Sequence, residues 1–163
     1  HILKPNDPKD MMSNFIFRIF KDRINISDDS EEVKDIQLFI AVRRAYANDD
    51  LAFLRYHLFK QYFGEFSEHS LEKISSHFLE AHKQIETQFK YPAKDKIYTY
   101  IKNQTIPFLI LDDVLRKHRG KTSSLTMDED LLNSAILSAC NARYKTISAR
   151  VRRAIIRSVI VLD

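Results

Sequence analysis

The sequence predicts an all-α fold, an irregular bundle of about seven helices with a long basic C-terminal helix. Three observations carry that expectation. Only two glycines (Gly64, Gly120) and four prolines (Pro5, Pro8, Pro92, Pro107) occur in 163 residues, against usual frequencies of about 7% and 5%, and tight hairpin turns need glycine. Apolar residues recur every three or four positions along most of the chain, which is the helical period. Capping residues and the two glycines fall where these periodic runs begin and end.

Taken in order, Asp7 and Pro8 read as an N-cap and first helical residue, and Met11, Met12, Phe15, Ile16, Ile19 and Phe20 then recur at helical spacing. The first helix is expected over 8–24. Ser27, Asp28, Asp29, Ser30, Glu31 and Glu32 place caps and carboxylates at the positive end of a second helix. Its buried side should hold Val33, Ile36, Phe39, Ile40, the stem of Arg43, and Ala47. Asn48, Asp49 and Asp50 form a capping turn into a third helix with Leu51, Leu54, Leu58, Phe59, Tyr62 and Phe63, closed by Gly64. A fourth helix starts near Ser67 and stops at Tyr91, because the residue before Pro92 avoids the helical region. The same rule splits the next stretch into helices over 93–104 and 108–119, the latter with Phe108, Leu109, Leu111, Val114 and Leu115 as the most buried helix. Residues 121–125 read as a flexible loop. Thr126 to Glu129 has the spacing of a capping box, opening a last helix that runs to the end.

Composition bounds the function. A chain with 44% hydrophobic and 29% charged residues has the makings of one globular domain over 1–163 and can bury roughly 70% of its unfolded surface. The single Cys140 permits no internal disulfide and fits a reducing compartment, so the expected location is cytoplasmic. No uninterrupted apolar run approaches the 18 or so residues of a membrane span. The start at His1 and the apolar run that stops at Asp163 read as cuts from a longer protein, with attachment to a membrane segment beyond Asp163 as one expectation.

Catalytic patterns are missing. With two glycines 56 positions apart, a phosphate-cradling loop has no glycine-rich stretch to form from, and neither HExxH, CxxC nor GxSxG occurs. His69 with Glu72, His77 with Glu80 and His82 with Glu86 each share a helix face, but the pairs point in different directions, with the apolar residues Leu71, Ile74, Phe78 and Ile85 toward the core. Solvated pairing, with no metal, is expected. Asp112 and Asp113 lack a second acidic motif, and Cys140 lies among small residues as a buried thiol would. Phe53, Tyr56, Phe59, Tyr62, Phe63 and Phe66 could stack bases, yet aromatics at this spacing more often form a core. No enzyme, cofactor or small-molecule substrate is indicated.

The C-terminal helix differs from everything before it. From Leu131 to Leu162 there is no acidic side chain, and the six cations Arg143, Lys145, Arg150, Arg152, Arg153 and Arg157 exceed the whole chain's net charge of +4. Arg143, Arg150 and Arg157, seven apart, form a stripe that Arg153 widens, while Lys145 and Arg152 form a second. Between them runs an apolar face of Ile147, Val151, Ala154, Ile155, Ser158 and Leu162. Toward the end, Ile156 and Ile160 place apolar groups on the arginine side as well, so the helix becomes hydrophobic all round. The expected function is therefore a non-enzymatic interaction domain that binds a protein partner, or associates with itself, through Arg143, Arg150, Arg152, Arg153, Arg157, Ile156 and Ile160. Nucleic-acid phosphates and an anionic membrane surface are the alternatives compatible with the same helix. The competing internal role is pairing with Asp28, Asp29, Glu31, Glu32, Asp35, Asp112 or Asp113 inside the fold.

Overall fold

The computed structural model describes residues 8–24, 30–64 and 71–160, the side chains at 71–73, 126 and 154–160 excepted. Seven α-helices make up the described residues, with no strand among them: α1 Pro8–Lys21, α2 Glu31–Val42, α3 Leu51–Phe63, α4 Leu71–Phe89, α5 Lys94–Lys117, α6 Thr122–Met127 and α7 Glu129–Ile160. A π-helical turn, Arg43–Ala47, continues α2. The contacts divide the chain into two compact units, His1–Ile106 and Pro107–Asp163, and α5 crosses the boundary.

In the first unit, local chemistry explains the helix ends. Ser30 Oγ accepts the Val33 N–H (3.3 Å) to cap α2, and Asp50 Oδ1 accepts that of Phe53 (2.8 Å) to cap α3. Asn48 adopts the left-handed conformation (φ 57°) that ends the π-helical turn, and Gly64 (φ 80°) ends α3. The core gathers Ile40 of α2, Leu54 and Leu58 of α3 and Ile85 of α4, with Ile36, Phe39, Phe59 and Phe89 against them. Helix α1 buries Met12, Ile16 and Phe20 but leaves Met11 and Phe15 exposed, so one stripe of the expected apolar set faces inward. The most buried helix is α2 rather than the expected 108–119. Gln37, Leu38, Ile40, Ala41 and Val42 are all buried, and Arg43, Tyr46 and Ala47 of the π-helical turn follow them. Buried Gln37 is satisfied by donating to the backbone carbonyl and the side-chain oxygen of Gln88, both at 2.9 Å.

Two expected breaks do not occur. Residues 94–117 form one helix with Pro107 inside it, not two. Proline removes one helical donor, but Asn103, Gln104, Ile106 and Pro107 are exposed, so water reaches the freed carbonyl. Thr105, buried, donates back to the Ile101 and Lys102 carbonyls (2.8 and 3.0 Å). In the second unit, of residues 121–125, expected as a loop, 122–125 enter helix α6 and Lys121 precedes it, because Leu125 is pulled into a core with Val114 and Ala135, flanked by Leu132, Ile136 and Ala139. Asp128, not Thr126, caps α7: its Oδ1 accepts the Leu131 N–H at 3.0 Å.

Candidate partner-binding surface

Helix α7 changes from a packed element to an uncovered one along its length. Glu129 and Asp130 sit at its positive end beside the Asp128 cap. The next two turns or so pack Leu132, Ala135, Ile136 and Ala139 in the core of the second unit. Among the described side chains, Arg143 is the last one tied into that unit. Its Nη2 donates to the Leu109 carbonyl at 3.0 Å, and its Nε lies 2.6 Å from Asp113 Oδ2, an ion pair by distance in which the N–H does not aim at the carboxylate. Of the internal pairings open to the arginines, this one forms.

Beyond Arg143, every residue from 144 to 153 is exposed. Tyr144 (73%), Ile147 (59%) and Val151 (53%) keep most of their surface in water, as does Leu137 (63%) one turn before Asn141. At about 100° per residue, these four and the half-buried Cys140 lie within one stripe about 80° wide. Arg150 borders the stripe on one side and Lys145 and Arg152 border it on the other. Arg153 folds back to donate to the Ala149 carbonyl (3.2 Å). Among the described residues no carboxylate pairs with Arg150, Arg152 or Arg153. Tyr144, Lys145, Ser148, Ala149, Arg152 and Arg153 border a shallow depression; one helix makes all of it, so it is an open surface feature rather than an enclosed ligand site. The backbone of α7 continues through Ile156, Arg157 and Ile160, whose side chains lie outside the described residues. Tyr144 and Leu137 are members of this surface that the sequence reading passed over. Their signal was the seven-residue spacing of 137, 144 and 151.

The other candidates are occupied by the fold. Asp112 accepts from Arg116 one turn later (2.8 Å), and Asp113 takes Arg143. Glu86 receives Arg55 through two donors, at 2.5 and 3.2 Å, and that hydrogen bonding holds its carboxyl below the ordinary range. Phe59 packs at a tilt against Phe63 and Phe78, and Phe53 lies beneath Arg43 and against His57; Phe63 is buried and Phe53 and Phe59 are half-buried, whereas Tyr56, Tyr62 and Phe78, the last expected toward the core, are exposed. Burial first, and then the Arg43 charge, push the His57 pKa down. His69 and Phe66 lie outside the described residues. Among the described residues no three His, Cys, Asp or Glu side chains gather as metal ligands, and no helix is long and apolar enough to cross a membrane. No family model, curated protein or solved structure matches the chain.

Proposed function

We propose that this chain is a helical interaction domain whose contact surface is the second half of α7, and that it binds protein. The observation that carries this is the exposure of every face of residues 144–153. A helical segment with no tertiary packing is marginal in water. Here it also holds three large side chains, Tyr144, Ile147 and Val151, more than half exposed. Burying them against a partner supplies the stabilisation the free segment lacks. Arg150, Arg152 and Lys145 lie beside them with no counter-charge among the described residues, which suits an anionic surface opposite.

Phosphate recognition is the runner-up, because the same cations would meet a nucleic-acid backbone. Those contacts would leave Ile147 and Val151 unused. Site-specific photo-crosslinking separates the two. With the crosslinker at position 147, protein adducts should form in cells that express the chain, a second copy of the chain counting as protein. The same crosslinker at Ser75, exposed on α4, should give none of those adducts. Nucleic-acid adducts from position 147 would favour the runner-up, and identical products from both positions would remove α7 as the contact.

A further inference from the structure

The exposed stripe has the spacing of a coiled-coil seam. With Leu137, Tyr144 and Val151 as successive a positions, Cys140 and Ile147 fall at d, and the apolar set keeps the alternating three-and-four step. Its width of about 80° is that of an a/d seam. A helix facing a globular core or lying on a lipid surface presents a stripe of at least about 100°. Along the seam from Leu137 to Val151, Asn141 and Ser148 close off one side at the e positions, ahead of Ile155 at the next one, where a membrane-lying face would be apolar throughout. The g positions are Arg143, Arg150 and Arg157. Arg143 is engaged by Asp113, which leaves Arg150, exposed and without an ion pair among the described residues, for whatever covers the seam.

The charge pattern selects the occupant. Two copies of α7 in parallel would set the g arginines 143 and 150 opposite Ser148 and Ile155 of the other copy, and in antiparallel they would set arginine opposite arginine. Neither arrangement supplies a carboxylate, because α7 has none after Asp130. We infer that the seam receives an acidic amphipathic α-helix of another protein, apolar at a and d with Glu or Asp facing Arg150 and Arg157 at its borders. Lys145 and Arg152, on the outer shoulder of α7, extend the positive surface beyond the seam and steer the acidic helix toward it. The inference rests on the reading of α7 as a protein-contact surface and names the chemistry of the partner.

The probe is a synthetic helix of roughly four heptads with Ile and Leu at a and d and glutamate at e and g, alongside a counterpart with lysine at e and g. Glutamate or lysine flanks keep each peptide from pairing with itself, so binding to the full 163-residue chain is read directly by fluorescence anisotropy. The glutamate peptide should bind at least about tenfold more tightly than the lysine peptide, with the difference shrinking as salt rises. Arg150→Glu with Arg152→Glu should reverse the preference. Ile147→Ser with Val151→Ser should abolish binding of both peptides while the circular dichroism of the chain stays helical. Equal affinity for both peptides overturns the inference, as does binding of anionic vesicles or RNA in place of the glutamate helix. If neither peptide binds but sedimentation shows self-association that Ile147→Ser with Val151→Ser removes, the acidic-helix inference falls and α7 stands as the contact surface. If those substitutions change neither self-association nor the crosslinks from position 147, both readings fall.

Discussion

Removing Arg43 should be among the most damaging single changes in the first unit. Its guanidinium is 6% exposed, pairs with Asp10 of α1 through Nη1 (2.5 Å) and with Asp49 of the following turn through Nε, and lies over the Phe53 ring at 5.2 Å. Arg43→Met keeps the apolar stem and strands both carboxylates. Asp49 is only 13% exposed and loses most, whereas Asp10 at 27% recovers part of its hydration. Breaking a buried pair costs about 3–5 kcal/mol, and the partial exposure of Asp10 puts this case near the lower end, about 3 kcal/mol. For a chain of 163 residues, with total stability of roughly 5–15 kcal/mol, that corresponds to a fall in Tm of about 6–12 °C. Urea denaturation followed by circular dichroism measures it. Arg43→Lys should recover only part of the loss, since a single ammonium cannot hold two carboxylates and stack on a ring together. In a double-mutant cycle, Asp10→Asn should cost far less in the Arg43→Met background than in the parent. A loss below about 1 kcal/mol would refute the reasoning, because the network would then be screened as surface pairs are.

Leu125→Ala in the second unit should cost about 2–5 kcal/mol, because this side chain is 1% exposed and joins α6 to Val114 and Ala135; a urea midpoint unchanged from the parent would contradict the core described. Stability should also fall on acidification below about pH 6.5. Burial and Arg43 lower the His57 pKa in the fold, so the unfolded chain binds the proton first, and the contribution is complete above the ordinary histidine pKa and lost as pH drops through the folded one. In His57→Phe, which suits the surrounding Phe39 and Phe53 rings, that part of the pH dependence should vanish from urea midpoints taken at pH 7.5 and 5.5. Replacing Arg150, Arg153 and Arg157 together by Gln should leave Tm within a few degrees, since among the described residues Arg150 has no ion pair and Arg153 bonds to its own helix; failure of this variant to fold would show these arginines serving the interior.

Much of this architecture was legible because it is local. Asp50 and Gly64 are recognisable caps, and the Tyr91–Pro92 break and the basic α7 needed nothing but residue order. What escaped depends on surroundings that a periodic pattern does not contain. Pro107 was read as a stop, yet its helix continues since the residues around it face water. Residues 121–125 looked like a loop because Thr122, Ser123 and Ser124 favour turns, whereas the burial of Leu125 outweighs that preference. Spacing placed Arg43 and Ala47 on the inner side of α2 but not Leu38 and Val42, which are covered only because several neighbours converge on that helix. Along α7 the basic stripes and apolar face could be read directly. That Arg143 turns inward to Asp113 while Tyr144 stays in water could not, since both follow from where the helix leaves its core.

The uncovered state of residues 144–153 is tested most directly by amide hydrogen exchange on the intact chain in solution. The packed half of α7, around Ala135 and Ala139, should exchange slowly through opening of the second unit, while amides from 145 to 153 should exchange nearly as fast as an isolated helix of marginal stability and slow markedly on binding a glutamate-flanked helix. Protection of 145–153 in the free chain equal to that of the packed half, at concentrations where sedimentation shows a monomer, would mean that this surface is already covered and would contradict the account.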